Sequence, residues 1–314
     1  MSPVTPLLEP PEASSIAPHV DLLFYVMLTL SVIVIAGVVL AMGWFCLKYR
    51  RGTHADRSPR PPHSHWIEIT WITIPLLLFL CIFAWSIRLY ARMRTPPPGA
   101  TPVYVVGKQW MWRIQHVGGQ REINTLHVPL GRPIHLIMTS QDVIHSFFVP
   151  AFRLKQDVVP GMYTDLWFTA TRPGTYQLDC AEYCGVDHSR MGGRVIVMQP
   201  AAFADWQRRH GGQSLAAQGA ALFRKAGCSG CHDSQSSVHA PNLRGLYGRR
   251  VPLRDGSIVL ADDSYIHDSI MLPDKQVAAG YSPIMPSFQG QLGESEVLEL
   301  VAYIKSRNGK GAGP

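Results

Sequence analysis

The sequence predicts a multidomain membrane protein, in which a two-helix transmembrane hairpin is followed by a Greek-key β-barrel and an all-α domain. Two long uncharged apolar segments occupy the first third of the chain. Short strand-like runs separated by Gly and Pro fill the middle, and apolar residues near the end recur at helical spacing. The predicted boundaries are a tail (1–20), the hairpin (21–94), a linker (95–102), the barrel (103–200), a second linker (201–214) and the all-α domain (215–314).

The two apolar segments predict membrane-spanning helices. Residues 22–47 and 69–87 contain no charged side chain. Each is close to or above the ~20 residues that a helix needs to cross a bilayer. Only 16% of the chain is charged, which is low for a soluble protein. A pair of buried core helices is the alternative, and the length of both segments argues against it.

The basic residues predict how the hairpin is oriented. No Lys or Arg precedes Lys48, whereas the link between the helices holds Lys48, Arg50, Arg51, Arg57 and Arg60. By the positive-inside rule this link is cytoplasmic. Both chain ends and both globular domains then face the periplasm of a bacterial inner membrane, in contact with lipid only through the hairpin. Three arginines after the second helix (Arg88, Arg92 and Arg94) favour the opposite orientation mildly. The link explains much of the net charge of +7, so we expect no nucleic-acid binding.

A run of soft ligands predicts a metal site in the barrel domain. Cys180, Cys184, His188 and Met191 lie within twelve residues, in a loop between two predicted strands. Thiolate, imidazole and thioether form the set that copper favours, and a second cysteine can bridge to a second metal ion. His145 supplies a candidate second imidazole. A disulfide and a tetrahedral Cys2His2 zinc site remain the alternatives.

A second motif predicts covalent haem in the all-α domain. Cys228-Ser-Gly-Cys231-His232 is a C-x-x-C-H attachment signature. The two cysteines can hold both vinyl groups as thioethers, and His232 can supply the proximal imidazole. A disulfide between the two cysteines is the alternative. Two one-electron centres on one chain indicate electron transfer.

The copper loop, together with His145, resembles the binuclear copper A site of cytochrome c oxidase subunit 2. The spacing C-x-E-x-C-x3-H-x2-M is that of the family without departure. The resemblance implies a cupredoxin-like barrel in which two cysteine sulfurs bridge two copper ions. Carried over, the ligands are His145, Cys180, the Glu182 carbonyl, Cys184, His188 and Met191. It also implies that the Glu182 carboxylate reaches a magnesium ion shared with subunit 1.

The last hundred residues resemble class I cytochromes c. Residues 241–248 carry part of the likeness, and Met285 stands where that family has its sixth haem ligand, which raises the potential. Met271 is the rival ligand, although its apolar surroundings are more typical of a core. His267 has no visible partner in the sequence and is interpreted as an ordinary structural histidine.

Two further segments resemble the oxidase family. Trp110, in Gly107-Lys-Gln-Trp110-Met-Trp112, matches the residue at which electrons enter from cytochrome c. Glu68 matches a glutamate at the cytoplasmic mouth of a proton channel, and an ionisable residue at a helix entrance suits proton uptake. Ordinary aromatic packing and a role-free interfacial glutamate are the alternatives.

The whole pattern resembles subunit 2 of a caa-type cytochrome c oxidase, in which the copper A domain is fused to a cytochrome c domain. It implies electron flow from cytochrome c or a similar donor through haem c and copper A to subunit 1, which reduces oxygen and pumps protons, with subunit 3 as a further partner. The equivalent subunit of a copper A-containing nitric oxide reductase is a close alternative. A membrane-anchored copper-delivery protein needs no haem, and a quinol oxidase subunit needs no copper A ligands.

Overall fold

The structure, a computed structural model, describes residues 10–55, 65–233, 236 and 238–308. These described residues divide into two compact units, one within residues 15–95 and the other formed by residues 10–14 and those from 96 onward. Part of the predicted tail lies outside the described residues, as do Arg57 and Arg60 of the predicted cytoplasmic link.

The first unit consists of two long helices, α1 (Ala17–Lys48) and α2 (His65–Arg94). Both are long and apolar enough to cross a membrane, and their most apolar stretches bury no side chain within the protein. Arg92, near the end of α2, donates a hydrogen bond to His19, near the start of α1 (3.2 Å), so the helices form the predicted hairpin. The first helix starts four residues before the predicted boundary, and α2 continues through Pro75.

The barrel domain contains two five-stranded sheets. Its strands are β1 (Thr101–Lys108), β2 (Met111–His116), β3 (Arg121–Ile123), β4 (Thr125–Pro129), β5 (Pro133–Ser140), β6 (His145–Val149), β7 (Leu154–Val158), β8 (Thr164–Thr169), β9 (Gly174–Cys180) and β10 (Gly192–Met198). One sheet has the order β3-β2-β1-β5-β8 and the other β4-β10-β9-β6-β7. The parallel pairs β1–β5 and β4–β10 join strands that are distant in sequence. Fully buried side chains fill the space between the sheets, among them Val105, Leu136, Met138, Phe147 and Leu178.

Two places in the barrel interrupt a simple alternating strand pattern. Asn124, whose φ is 53°, turns the chain between β3 and β4. Strand β6 begins at the predicted ligand His145, and β7 carries the charged Lys155 and Asp157 between apolar residues. They form an antiparallel pair in which Ser146 lies opposite Asp157.

The predicted linker over 201–214 is largely helical, which corrects the sequence interpretation. Helix α3 (Pro200–His210) begins with a proline, whose fixed φ suits the first helical turn. Phe203 and Trp206 lie three residues apart on its buried face, and Trp206 stacks on His127 (ring centroids 4.7 Å apart). Only residues 211–214 connect α3 to the next helix.

The C-terminal domain is mainly helical around one apolar core. It contains α4 (Leu215–Lys225), α5 (Ser229–His232), a small hairpin of β11 (Arg250–Pro252) and β12 (Ile258–Leu260), α6 (Asp263–Met271) and α7 (Glu294–Ser306). Ser214 caps α4 by accepting a hydrogen bond from Ala217 N–H (3.3 Å). A Cβ at Gly219 would lie 1.9 Å from the Glu299 carbonyl, so only glycine lets α4 and α7 pack this closely.

The helical domain packs on the outer face of the first sheet. Leu215, Leu298 and Ala302 form one buried cluster with the barrel residues Tyr104, Val106 and Ile137. Arg121 of the barrel forms an ion pair with Glu299 of α7, and Lys305 donates to Asp263 (3.0 Å) beside Tyr104. The interface therefore combines an apolar centre with charged pairs at its margin.

Candidate metal centre and haem cavity

The predicted copper ligands converge at one end of the barrel. The sulfur atoms of Cys180 and Cys184 are 3.8 Å apart, and both cysteines are free rather than joined in a disulfide. His145 Nδ1 lies 4.0 Å from the first sulfur, and His188 Nδ1 lies 3.5 Å from the second. Met191 Sδ is 3.6 Å from Cys184 Sγ. The Glu182 carbonyl oxygen completes the predicted ligand set at 3.2 Å from Cys180 Sγ.

The fold brings these ligands together from three elements. His145 begins β6, Cys180 ends β9, and the other ligands lie in the loop before β10. Residues Phe147 and Cys180 are paired across β6 and β9, which fixes the spacing between the two parts of the site. The described residues contain one group of His, Cys, Asp and Glu atoms close enough to hold a metal, and it is His145 with the two cysteines.

The two thiols are inequivalent before metal binding. Burial alone would raise the pKa of Cys180, but hydrogen bonds involving His145 and nearby backbone groups lower it to about 6. Burial and the neighbouring charge on Cys180 raise the pKa of Cys184 to about 12. Because metal coordination requires thiolates, binding must release a proton from Cys184. Thiolates, imidazoles and a thioether fit copper, whereas the thioether is not a usual zinc ligand.

A carboxylate that sequence reasoning missed orients His145. Asp142 accepts a hydrogen bond from His145 Nε2 (2.8 Å), so Nδ1 is the nitrogen that faces the sulfurs. Asp142 also accepts from the backbone N–H groups of Gln109 and Val143, each at 2.7 Å. Burial opposes ionisation, but these hydrogen bonds lower the pKa of Asp142 overall. In the sequence, the only indication of this role is that Asp142 lies three residues before His145.

The turn between β1 and β2 forms hydrogen bonds to the loop that carries Cys184. Gln109 donates its side-chain amide to the Cys184 carbonyl (2.8 Å), and Trp110 donates its indole N–H to the same oxygen (3.2 Å). Gly107 lies against the His145 ring, since a Cβ there would be 2.8 Å from Cδ2. Trp110 thus contacts the copper loop directly and is not merely a core aromatic.

The C-terminal domain encloses a separate cavity of about 480 Å³, within the range of cofactor sites. The cavity is lined by all four predicted haem residues, Cys228, Cys231, His232 and Met285. His232 donates Nδ1–H to the Pro241 carbonyl (2.9 Å), which leaves Nε2 free to face a metal. The remaining wall is predominantly apolar, so the donor set and the cavity fit a covalently bound haem.

Met271, the rival axial ligand, is not among the residues that line this cavity. It instead packs against the apolar core of the domain, as its sequence surroundings suggested. The geometry therefore favours Met285.

Two other predicted residues lie apart from these sites. Glu68 occupies the first turn of α2, with a half-exposed side chain 3.6 Å from His65 Nδ1. The Glu182 side chain is exposed, while its backbone carbonyl faces Cys180.

Taken together, the fold and the two sites define a membrane-anchored electron-transfer protein that joins a cupredoxin-like barrel to a cytochrome c domain. Three family models match it: the cytochrome c oxidase subunit II transmembrane domain over residues 7–89, its periplasmic domain over 119–199, and cytochrome c over 216–308. The cytochrome c oxidase subunit 2 of Alkalihalophilus pseudofirmus is 30% identical over 312 residues, covering 94% of this chain and 88% of that protein. The chain belongs to the cytochrome c oxidase subunit 2 family, in the form that carries a C-terminal cytochrome c domain.

Two further comparisons match smaller parts of the chain. The subunit 2 of Thermostichus vulcanus is 31% identical over 257 residues, covering 65% of this chain and 78% of that protein. The crystal structure of the periplasmic domain of subunit II from Bradyrhizobium japonicum aligns at 29% identity with a TM-score of 0.36, covering 37% of this chain and 96% of that domain.

Family membership confirms several expectations from the sequence. The chain is a subunit of a haem-copper oxidase and partners its subunit 1. The two domain families imply copper A and haem c as cofactors.

Proposed function

We propose that this chain passes electrons singly from a donor, cytochrome c or a similar protein, through its own haem c and binuclear copper A into subunit 1, where oxygen is reduced to water with proton pumping. The observation that carries the proposal is the convergence of both ligand sets on one chain. Three side chains and one carbonyl surround two free thiols, and four predicted haem residues line one cavity. A copper-delivery protein has no use for the second site.

In the copper site, the thiolates of Cys180 and Cys184 and the imidazoles of His145 and His188 would hold the two ions. Met191 and the Glu182 carbonyl would complete the coordination. This site supplies one-electron redox chemistry when it is loaded. The hydrogen-bonded frame of Asp142 and Gln109 would hold the ligands still between redox states, so little reorganisation accompanies each transfer.

In the haem cavity, Cys228 and Cys231 would carry the thioether links and His232 the proximal nitrogen. Met285 would be the sixth ligand. The Pro241 carbonyl holds the His232 ring in the orientation that leaves Nε2 available.

Trp110 is proposed as an electron-entry residue of the copper site, where the fused haem domain takes the place of a docked donor. Support comes from its indole hydrogen bond to the carbonyl of the bridging residue Cys184. Glu68 is proposed as the entrance of a proton path, because it is an ionisable group in the first turn of a membrane helix.

The Glu182 carboxylate is proposed to join a magnesium site shared with subunit 1. The position of Glu182 supports this proposal. Its carbonyl faces the copper site, and its exposed side chain could reach a neighbouring subunit. Both termini and both cofactor domains are proposed to lie on the periplasmic side of the inner membrane. The argument is that the link between the two helices is basic and therefore cytoplasmic. Subunit 3 and membrane lipid are proposed as further partners.

The test is cofactor analysis and turnover of the purified complex. We expect two copper ions and one covalent haem per chain, a copper paramagnetic resonance spectrum of a mixed-valence pair, and oxygen consumption driven by reduced donor. Zinc or a cystine in place of copper would refute the proposal. Consumption of nitric oxide without oxygen would instead identify the related reductase.

A further inference from the structure

The internal route between the two cofactor sites follows from how the domains contact each other. Helix α6 lines the haem cavity with Ile266 and Ile270. His267, the next residue after Ile266, faces the barrel instead and meets the ring of Tyr163 edge-on, with centroids 5.3 Å apart. This aromatic contact bridges a wall of the haem cavity and the copper domain.

Both rings are held firmly at the interface. His267 is buried between two acidic groups, with Nε2 donating toward Glu294 and Nδ1 lying 3.3 Å from Asp268. Burial alone would lower the pKa of His267, but these carboxylates raise it overall. Tyr163 packs against the interdomain apolar cluster, and its buried hydroxyl has no hydrogen-bond partner among the described residues. A hydroxyl without a partner leaves ring contact as the visible role of this tyrosine.

From Tyr163 a short series of bonds leads to a copper ligand. The next residue, Thr164, donates its hydroxyl to the Asp157 carbonyl (2.7 Å). The Asp157 carboxylate accepts a hydrogen bond from Ser146 (2.8 Å), and Ser146 is covalently joined to His145. One ring contact, two hydrogen bonds and the covalent segments between them therefore connect α6 to His145. Electronic coupling decays less through covalent and hydrogen bonds than across open gaps.

We infer that electrons from the attached haem reach the copper site at His145, through the contact between His267 and Tyr163 and the hydrogen-bonded series Thr164–Asp157–Ser146. The ferrous haem loses one electron and the oxidised copper pair gains it. No bond forms or breaks, and no proton moves. The route is distinct from Trp110, which contacts the copper loop at Cys184. This inference rests on the proposed function.

The test uses the full-length chain loaded with haem and copper. A light-driven reductant first reduces the haem. The absorbance of the haem then reports its reoxidation, and the absorbance of the copper pair reports its reduction. We expect Tyr163→Leu to slow the transfer severalfold, and Tyr163→Phe, which keeps the ring, to slow it much less. Thr164→Val removes the hydroxyl that donates to the Asp157 and Met138 carbonyls while keeping the Tyr163 ring, and should also slow transfer severalfold. The matched control, Thr169→Val at the far end of β8, should transfer at the wild-type rate.

A second readout separates the route from simple loss of structure. The copper paramagnetic resonance spectrum and the haem absorption of Thr164→Val should match wild type, and hydrogen exchange in α7 should show that the domains stay docked. Wild-type transfer rates in both Tyr163→Leu and Thr164→Val would overturn the route while leaving the proposed function intact. A slowed Tyr163→Leu beside an unaffected Thr164→Val would also overturn it, since Tyr163 would then act through docking alone. Absence of haem-to-copper transfer in the wild-type chain would refute the proposed function itself.

Discussion

Asp142 fixes which nitrogen of His145 faces the cysteine sulfurs. Its carboxylate accepts a hydrogen bond from Nε2 at 2.8 Å, while Nδ1 lies 4.0 Å from Cys180 Sγ. Two backbone N–H groups hold the carboxylate in turn. The orientation of the imidazole is therefore set by the protein before any metal binds.

Replacing Asp142 by Asn should weaken copper binding by about 10–100-fold, the usual cost of losing a group that orients a metal ligand. The amide can present its NH2 to Nε2 and favour the wrong tautomer. Copper titration followed by paramagnetic resonance measures the effect. Asp165→Asn, at the barrel surface beside His135, is the control. Equal affinities for the two variants would contradict the positioning role.

Replacing Cys180 by Ser should remove the paired-copper signal, because an alcohol cannot replace a bridging thiolate. Covalent haem should remain, since its cysteines lie in another domain. Metal analysis and the haem spectrum of the same sample check both statements. Cys46→Ser, in α1, should keep both cofactors. A full copper complement in the Cys180 variant would rule out this site.

Replacing Met285 by Ala should change the axial ligation of the haem and lower its potential, because a thioether ligand raises it. Potentiometric titration with optical detection measures this shift. Met271→Ala is the matched test, since Met271 packs in the core outside the cavity. A lowered potential in the Met271 variant alone would reverse the assignment.

The buried Glu122 should give the barrel a pH-dependent stability. Although burial opposes ionisation, hydrogen bonds from His116 and His127 lower the pKa of Glu122 below its ordinary value of 4.5. A lowered folded-state pKa stabilises the protein fully above about pH 4.5, and this contribution is lost as pH falls through the folded value.

Glu122→Gln should therefore cost about 1–3 kcal/mol near neutral pH and flatten the acid dependence of unfolding. Tryptophan fluorescence follows the transition, and Trp206, whose ring stacks on His127, contributes to it. Asp205→Asn, which breaks an exposed pair with Arg208, should change stability little. An acid profile of Glu122→Gln that parallels wild type would contradict the prediction.

Most of what the sequence predicted depends on short-range patterns. The two membrane helices follow from uninterrupted apolar length. The copper loop and the C-x-x-C-H motif place several ligands within a few residues, so their chemistry is visible without a fold. The linker prediction for 201–214 was wrong over residues 201–210, because a helix there is stabilised by Trp206 packing on distant histidines.

Local spacing determined the ligand types, the membrane segments and the order of domains. Tertiary structure alone decided that Asp142 sets the His145 tautomer and that His267, which looked like an ordinary histidine, meets Tyr163 between the domains. It also placed Met285 in the haem cavity and Met271 outside it. The physical reason is that tautomer, burial and ring contact depend on atoms brought together by strand pairing and helix packing. Local sequence patterns do not show which distant residues come into contact.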